Sequence, residues 1–536
     1  MLSAYLSTCN KVVVVECRLF VIEGAVMTKR RDFLRIATSA GVSACAGAVL
    51  PRFAMAQGGR NANMHYIDPT AIGPGDGTLA KPFRSWTSVS WVPGHTYLQK
   101  RGTTYSGVFQ VSASGTALQR ITIGAYYRSN GSDDTSRPKP VIILPPAPTM
   151  PADGASIAAY KQERDFITYR NLDIRNSALP EASDAAILWL GNSCVFENNN
   201  VTSNCAGVYI FEKNDVTISG CVLDVIRNSP AYGNQGILVA GNTNIDNIRL
   251  LDNIVRHRGG GTVTSYGIRC ETYGSAAFLT RLVIRGNRVS PPPGVAYNPN
   301  RRAIGIYLIR GEAAMLDRNT VTGMLTGIFI NGGDRSYVGN NNCSNNMNFG
   351  IHISGFAKSY IIERNVCNAN GGTLTATYYG RGIELSSAVG QDAVSGHTIR
   401  YNTCRFNYNY GGPLDNGSEG VGIGADDGVC KCSVYGNIIS NNEGNGIQMY
   451  GGADRATHTD TGGHTISFNL LDSNCSVSVM NRRSGGRTPS PFQAHIALAS
   501  IYGSPTVVSY NRFSGRTSMK IYTDGTDANI TIVGNT

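Results

Sequence analysis

Charged residues are scarce in this chain, and so are long apolar runs. Asp, Glu, Lys and Arg supply 15% of the 536 residues. Beyond residue 56 no apolar stretch is long enough to cross a membrane as a helix. No cluster of Lys and Arg is interleaved with aromatic residues, which argues against nucleic acid as a partner. The chain is instead rich in glycine, with 63 residues, and in Asn, Ser and Thr. This composition favours turns over helices and predicts an all-β protein.

The amino terminus has the pattern of an export signal. Twin arginines within residues 28–34 (TKRRDFL) precede an apolar stretch over residues 36–50, and an A-x-A cleavage site ends at Ala56. The pattern resembles a twin-arginine signal, with residues 1–56 removed and Met27 as the true start. It implies a periplasmic or secreted protein without membrane attachment after cleavage. The alternatives are lipidation or an uncleaved anchor, for which the apolar stretch is short.

Loss of this leader would leave a modest positive charge. Residues 1–56 hold seven Lys or Arg and three Asp or Glu, so the formal charge would fall from +11 to about +7. Such an excess on an exported chain fits an acidic polymer as partner. We therefore expect an acidic polysaccharide, and no nucleic acid.

One unit recurs along most of the chain. In each copy a short apolar run ends in an Asn, an apolar residue follows two places later, and a loop leads to a Gly-Ile pair. Copies spaced by 22 to 42 residues with a constant local pattern are typical of a solenoid whose coils carry insertions. Because Asn tolerates left-handed backbone, we expect it to form a tight corner and to hydrogen-bond along the axis. The repeat positions are Asn171, Asn199, Cys221 (in place of Asn), Asn253, Asn287, Asn319, Asn341, Asn365, Asn402, Asn437, Asn469, Asn511 and Asn535.

The segment before the repeats carries a more specific resemblance. It contains Tyr66-Ile67-Asp68-Pro69, an Asp-Gly-Thr at residues 76–78, a Pro-Gly at residues 93–94 and a GTALQRITIGAY run over residues 115–126. These motifs resemble the first segment of secreted right-handed parallel β-helix proteins of the pectate lyase superfamily, which includes pectate, alginate and chondroitin lyases. The resemblance implies a right-handed parallel β-helix, a solenoid of about thirteen rungs. We assign residues 57–160 to an amino-terminal cap with the first coils, and residues 161–536 to the β-helix.

The Gly-Ile pairs predict one face of the solenoid. Each pair begins a Gly-apolar-variable-apolar pattern, so alternation along a strand points the apolar side chains inward and the variable one outward. Stacking then aligns the variable residues in one outward column. In the families that the chain resembles, the equivalent sheet lines the substrate groove. The predicted column is Tyr209, Leu238, Arg269, Tyr307, Phe329, His352, Glu384, Gly424 and Gln448.

Loop lengths place a groove on this column. The loop from Asn to the next Gly-Ile measures 14 and 18 residues in two coils, 8 and 9 in the next two, and 17 and 20 in the two after those. Long loops on both sides of two short ones predict walls around a floor. The floor would be Phe329, Asn331, His352 and Ser354.

The outward residues around His352 carry the candidate chemistry. Neighbouring rungs lie about 5 Å apart, so His352 should lie beside Glu384, whose carboxylate would fix the imidazole tautomer and raise its basicity. Abstraction of the proton alpha to a uronate carboxylate needs a base, a cation for that carboxylate and an acid for the leaving oxygen. His352 or Tyr307 would be the base, Arg269 or Arg310 the cation, and Tyr307 the acid.

Other outward residues are candidates for substrate contact. Arg269, Glu271, Phe329, Asn331 and Asp426 would line the groove, with the aromatic floor facing a sugar. Asp426 and Asp427 could alternatively be hydrolase acids or ligands for a calcium ion, the one metal that we consider. An outward polar residue on a solvated sheet can also have no function.

These residues predict a polysaccharide-active protein, with a lyase acting on an acidic, uronate-containing glycan by β-elimination as the first hypothesis. A β-helix glycoside hydrolase and a non-catalytic glycan-binding or surface structural protein are the alternatives. Related families carry signatures that the chain lacks: the N-T-D, G-H-G and R-I-K motifs of polygalacturonases, the Glu-x-Glu strand of calcium-assisted lyases and the D-P-H-D of mannuronan epimerases. No family mechanism therefore transfers residue by residue.

The cysteines are expected to be structural. Ten of the 13 follow residue 56, and Cys343, Cys367 and Cys404 each come two residues after a repeat Asn, which is an inward position. Stacked free thiols that behave as small hydrophobes are the interpretation we favour over disulfides. Cys430 and Cys432 form a lone C-x-C, which is a weak metal signal.

Overall fold

The computed structural model describes residues 63–144, 164–176, 186–203, 206–225, 235–257, 264–295, 303–371, 380–387, 396–408, 420–452, 460–475, 494–515, 517, 519–523 and 530–536. These residues belong to one compact unit, Ala62–Thr536. The predicted leader and the predicted boundary at residue 160 lie outside the described residues and stay predictions.

Stacked parallel strands form three faces, sheets A, B and C, and the protein is a right-handed parallel β-helix as predicted. In the described residues, sheet A has 16 strands. They are Met64–Ile67, Thr96–Lys100, Ile121–Tyr126, Ile167–Arg170, Val195–Glu197, Thr217–Ser219, Arg249–Leu251, Val283–Arg285, Met315–Asp317, Tyr337–Gly339, Ile361–Glu363, Thr398–Arg400, Ser433–Tyr435, Thr465–Ser467, Thr506–Ser509 and Ile530–Val533.

Sheet B follows each sheet A strand after one corner. Its two parts are joined by single bridges from Thr320 through Asn342 and Val366 to Thr403. Its strands are Thr104–Ser106, Val141–Ile143, Asp173–Asn176, Asn200–Ser203, Val222–Val225, Ile254–His257, Arg288–Ser290, Thr320–Val321, Thr403–Arg405, Ile438–Ser440, Leu470–Asp472 and Arg512–Ser514.

Sheet C holds the Gly-Ile strands. Two short strands, Ile245–Asp246 and Leu279–Thr280, pair beside it, and a 3-10 turn spans Trp86–Ser88. The main strands are Ala186–Leu190, Ala206–Phe211, Gln235–Gly241, Ser265–Thr272, Ala303–Glu312, Thr326–Asp334, Phe349–Ser354, Arg381–Ser386, Ile423–Asp426, Ile447–Tyr450, Ile496–Ala499 and Ile521–Thr523.

The core is a set of aliphatic stacks that run along the axis. In sheet A the inward residue of each rung lies on that of the next, as Leu316, Val338 and Ile362 do, and all three are fully buried. Burial of one such side chain contributes about 1.5–3 kcal/mol. The first described rungs carry rings instead, with Trp86 packed on Trp91 and Phe109, so an aromatic cap closes the amino end of the core.

The repeat Asn residues form a buried ladder. The side-chain oxygen of Asn365 accepts the backbone N–H and the side-chain N–H of Asn341, at 3.0 and 2.9 Å. The same contacts continue from Asn253 to Asn535, and the backbone N–H of Cys221 donates to Asn253, which confirms that Cys221 occupies a ladder position. The axial hydrogen bonds are therefore as predicted.

Two details of the Asn prediction are wrong. The left-handed residue is the one before the ladder Asn, as in Arg318, Arg364 and Tyr401, because the corner turns before the amide enters the core. Asn171 is itself such a corner residue with a φ of 60°. Its successor Leu172 occupies the ladder position, where the Leu172 N–H donates to Asn199.

A second ladder lies five residues further on. Asn346, Asn370, Asn407, Asn442 and Asn474 are buried and bonded in the same way, each backbone N–H donating to the next amide oxygen. This ladder packs against the Gly of the later Gly-Ile pairs, from Gly327 to Gly446, whereas earlier glycines such as Gly236 and Gly267 pack against Val side chains. A Cβ on Gly350 would lie 2.6 Å from the carbonyl oxygen of Gly382 and 2.9 Å from the Asn370 amide. Only glycine fits this contact.

The described cysteines are free thiols. All nine of them are buried and unpaired by disulfides, including the stacked Cys343, Cys367 and Cys404. Burial raises the pKa of each of the first two well above its ordinary value. The expected inward thiol stack is confirmed.

Candidate active site on the outer face of sheet C

The predicted outward column exists. Strand pairing places Tyr209 beside Leu238, and the register continues through Arg269, Tyr307, Phe329, His352, Glu384 and Gly424 to Gln448. The alternation inferred from the Gly-Ile pattern is therefore correct at every rung of this series.

Aromatic rings stack along this column. The rings of Phe329 and His352 lie 4.7 Å apart and 13° from parallel, Tyr307 lies 5.3 Å from Phe329, and Tyr266 lies 5.0 Å from Tyr307. Because each ring covers the face of its neighbour, the column presents ring edges to the outside. Phe329 thus offers a ligand its edge, whereas the sequence suggested a face for a sugar.

His352 lies beside Glu384 on the neighbouring strand, as predicted, but the two side chains bond to other partners. Its Nε2 lies 2.8 Å from the Ser386 hydroxyl, and the Phe349 ring packs against it at 4.6 Å. Burial, with a smaller contribution from the nearby Arg381 guanidinium, lowers the pKa of His352 to about 3. The prediction that Glu384 raises the basicity of this imidazole is wrong, because Glu384 turns toward Arg381 instead.

Arg381 is the centre of a buried charge cluster. Its Nη1 lies 2.5 Å from Glu384 Oε1 and 2.5 Å from Asp426 Oδ2. The Gln448 amide donates to Asp426 Oδ1 at 3.2 Å, and the Asn445 amide donates to Gln448 at 2.9 Å. The two carboxyl groups proposed separately from the sequence are thus held together by an arginine that the sequence interpretation did not include.

Glu384 is the more deeply buried carboxyl of this cluster. Burial raises the pKa of Glu384 well above its ordinary value, and a hydrogen bond to Asp426 raises it further, while Arg381 opposes both effects. Two carboxyl groups bond to each other only when one of them carries a proton. The raised pKa of Glu384, which is buried with 3% exposure, favours the proton on this carboxyl.

Gly424 makes room for Glu384. A Cβ on Gly424 would lie 2.3 Å from Glu384 Oε2. This oxygen is buried and accepts no hydrogen bond. Any side chain at position 424 would therefore displace the Glu384 carboxyl.

A second polar cluster lies about four rungs away, or about 19 Å. Arg269 pairs with the buried Glu271 at 2.7 Å and lies over the Tyr266 ring at 4.6 Å. Burial, followed by the effect of Tyr266, raises the pKa of Tyr307 to about 12, and the Asn331 amide hydrogen-bonds its hydroxyl. Arg269, Glu271, Tyr307 and Asn331 are therefore brought together.

Arg310 lies apart from this cluster. It has a left-handed φ of 57°, and its guanidinium donates to the carbonyl oxygen of Gly274. The contacts of Arg310 are thus at the edge of sheet C rather than on the column of Tyr307.

Sequence reasoning missed the residue before each Gly-Ile pair. Phe349 pairs with Arg381 across neighbouring rungs, and Tyr266 holds the same position two residues before Ile268. Strict alternation would turn these side chains inward, but Phe349 packs against the outward His352 and Tyr266 against the outward Tyr307. Aromatic and charged residues directly before a glycine were the available signal.

The predicted walls of the groove fall mostly outside the described residues, namely in 258–263, 296–302, 372–379 and 409–419. Within the residues that the structure describes, no group of three or more His, Cys, Asp or Glu side chains is placed to hold a metal ion. Cys430 and Cys432 are buried there.

The described residues include no helix that is long and apolar enough to span a membrane.

Comparison with known proteins identifies the fold. A family profile described as a right-handed beta helix region matches residues 266–487. No curated protein matches the sequence.

The chain is distantly similar in structure to carbohydrate-active enzymes and tailspikes of this fold. A GH136 lacto-N-biosidase from Eubacterium ramulus is 15% identical with a TM-score of 0.32, over 88% of this chain and 68% of the biosidase. The catalytic domain of a GH87 alpha-1,3-glucanase is 12% identical with a TM-score of 0.44, over 82% of this chain and 64% of the glucanase chain. A periplasmic alginate epimerase is 12% identical with a TM-score of 0.37, over 83% and 79%. Similarity at this level does not identify an activity.

Proposed function

We propose that this protein is an exported glycoside hydrolase whose acid is Glu384 and whose nucleophile is Asp426. The observation that supports it is the pair of carboxyl groups held by one arginine nitrogen at 2.5 Å each. Hydrolysis of a glycosidic bond needs one protonated and one ionised carboxyl group. Burial raises the pKa of Glu384, which suits the role of the acid.

The roles follow from the two environments. Protonated Glu384 would donate its proton to the oxygen of the leaving sugar. Asp426 would attack the anomeric carbon, and water that gives its proton back to Glu384 would then release the sugar. Because both carboxyl groups contact one nitrogen, their bonded oxygens lie no more than about 5 Å apart, which is too close for the inverting arrangement with its separation of about 6.5–9.5 Å.

The outward column would bind the glycan chain. Arg269, Tyr307 and Asn331 offer hydrogen-bond donors, and the ring edges of Phe329 and Tyr266 offer apolar contact. Together with the positive formal charge of the chain, Arg269 supports an acidic polysaccharide as the substrate.

The test is turnover of a glycan panel by the chain without residues 1–56. Polyuronates and neutral glycans would be incubated with it, and new reducing ends and ultraviolet absorbance by unsaturated uronate would both be followed. We expect reducing ends without absorbance, and a loss of about 10³-fold in kcat for Glu384→Gln and for Asp426→Asn. The pKa of the acid is raised, so kcat should fall as pH rises through it.

The control is Glu312→Gln, which removes an exposed carboxylate paired with Arg335 on another edge. Full activity of Glu384→Gln would refute the assignment of the acid. Binding of a glycan without any turnover would instead favour the non-catalytic alternative.

A lyase acting on an acidic glycan is the second candidate, and His352 favours it. The imidazole is hydrogen-bonded to Ser386 and is unprotonated above about pH 3, which is the state that a base requires, although the lowered pKa makes it a weak base. Arg269 on a nearby rung would neutralise a uronate carboxylate, and Tyr307 would protonate the leaving oxygen. Ultraviolet absorbance that is lost in His352→Ala, and retained in Glu384→Gln, would establish the lyase and refute the hydrolase.

A further inference from the structure

Four arginines lie together on the outer side of sheet A and at its corner with sheet B. Arg285 and Arg400 end sheet A strands, while Arg318 and Arg364 are the left-handed corner residues of two rungs. We call these four residues the arginine track. Their side chains are 33% to 62% exposed. The track spans four rung steps, or about 19 Å along the axis.

Two buried carboxylates hold the track in place. Asp317 lies 3.5 Å from both Arg285 and Arg318, and Glu363 lies 2.6 Å from Arg364 and 2.5 Å from Arg400. Each buried carboxylate thus pairs with two of the guanidinium groups. With four positive and two negative charges, the cluster keeps a surplus of two positive charges on its exposed side.

Hydrogen bonds between the two halves make the track continuous. The Asn340 amide donates to Asp317 at 2.9 Å and to the Tyr337 hydroxyl at 3.1 Å, and that hydroxyl donates to Glu363 at 3.2 Å. Arg400 also donates to the Tyr435 hydroxyl at 2.9 Å. Gly339 makes room for the Tyr337 ring, since a Cβ there would overlap it. The guanidinium groups are therefore ordered before any ligand arrives.

We propose that the arginine track binds an acidic polysaccharide, at a site separate from the chemistry on sheet C. Guanidinium groups bind carboxylates through paired donors, and each arginine has donors beyond those its carboxylate uses. Arginines on four of five successive rungs suit an extended polymer that carries one carboxylate on each sugar. Ordering the arginines in advance reduces the entropic cost of binding.

The test compares two double variants of equal charge. Arg318→Gln with Arg364→Gln removes two charges from the track but leaves Arg285 on Asp317 and Arg400 on Glu363, so no buried carboxylate loses both partners. The control, Arg281→Gln with Arg335→Gln, removes two arginines of similar exposure, 67% and 65%, from the opposite edge of sheet A. Binding of polygalacturonate and of alginate would be measured by calorimetry over a series of salt concentrations.

We expect the track variant to bind at least one of these polymers about tenfold more weakly, with a flatter salt dependence, and the control to bind like the unmodified protein. Equal weakening in both variants, or no weakening in the track variant, would overturn the proposal, as would failure of the unmodified protein to bind either polymer. Double-stranded DNA that binds as tightly as the polyuronates would refute the ligand class. Turnover of short oligosaccharides should be unchanged in both variants, so loss of the track leaves the hydrolase proposal standing.

Discussion

At the scale of single residues, Asn forms both of the buried ladders that run along the axis, and in both it acts through its side-chain amide. The ladder Asn residues from Asn199 to Asn511 are buried, and their amides bond to the neighbouring rungs. Asn365 accepts from Asn341 and donates to the Val338 carbonyl on one rung, and it donates to Asn402 on the next. The residue directly before each ladder Asn has the left-handed backbone conformation. Its side-chain type varies from rung to rung, as Arg364, Tyr401 and Phe468 illustrate. Corner geometry and axial bonding are thus divided between two neighbours.

Asn365→Ala should destabilise the protein by about 2–4 kcal/mol. The change leaves the Asn341 N–H and the Val338 carbonyl buried without partners, and each such group costs about 1–3 kcal/mol. Urea unfolding followed by circular dichroism would measure the free energy of unfolding. Asn130→Ala, at an exposed turn, is the control and should change it by less than about 0.5 kcal/mol. A ladder variant as stable as this control would contradict the structural role.

The residue scale also shows why the site was only partly predictable. Which residues face outward followed from alternation, so Arg269, His352 and Glu384 were placed correctly. Which of these side chains bond to each other was not predictable, because each has a neighbour at the same distance on the rung before and on the rung after. Glu384 and Asp426 both bond to Arg381, and His352 bonds to Ser386 instead of Glu384. A charged residue one place before a glycine therefore decided the chemistry of the column.

At the scale of the strand, the glycine of each Gly-Ile pair is required by the atoms that it packs against. This glycine lies against the carbonyl of the next rung and, from Gly327 onward, against the second Asn ladder. The Asn five residues after each of Asn341, Asn365 and Asn402 was visible in the sequence. Its link to the glycine was not, because the two are separated by loops of variable length.

Gly350→Ala should destabilise the protein by about 2 kcal/mol or more. The added Cβ would lie 2.6 Å from a carbonyl oxygen and 2.8 Å from another, both of them backbone atoms that cannot move independently of their rungs. Thermal unfolding by calorimetry is the measurement. Ser354→Ala, outward on the same strand, should change the melting temperature little. A stable Gly350→Ala variant would show that the rungs can separate there.

At the scale of the whole molecule, buried histidines link stability to pH. Burial lowers the pKa of His352 and of His397 to about 3, and that of His464 and of His495 to about 4, from an ordinary value of 6.5. Between these values the unfolded chain binds more protons than the folded one. Stability is thus fully present above pH 6.5 and is lost as pH falls toward the folded pKa values. Glu384, with a raised pKa, acts in the opposite direction and favours the fold at low pH.

We expect the melting temperature to fall between pH 7 and pH 5, because four histidines outweigh one carboxyl group. His397→Asn should make that fall smaller, because an Asn side chain does not titrate. The Asn amide oxygen can still accept the hydrogen bond that the Tyr360 N–H donates to His397 Nδ1 at 3.2 Å. Scanning calorimetry at several pH values would show it. A melting temperature that is constant over this range, or a variant with an unchanged slope, would contradict the prediction.

At this scale the stack of coils was predictable from the sequence, and the shape of the loops around it was not. Repetition of one local pattern defines the stack whatever the loop lengths, since each coil buries its apolar face only on its neighbours. The loops that would form walls around the column carry no repeated pattern, so their lengths suggested a groove without indicating its shape.

The second ladder also bears on how the protein ages chemically. Asn followed by Gly is the sequence most prone to deamidation, because little hinders attack of the next backbone nitrogen on the amide. Asn370-Gly371 and Asn445-Gly446 are such pairs, yet both amides are buried and held by hydrogen bonds. Asn130-Gly131 lies in an exposed turn. The stack therefore protects Asn370 and Asn445, and deamidation is expected at the exposed Asn130-Gly131 turn and at the half-buried Asn331-Gly332 of sheet C.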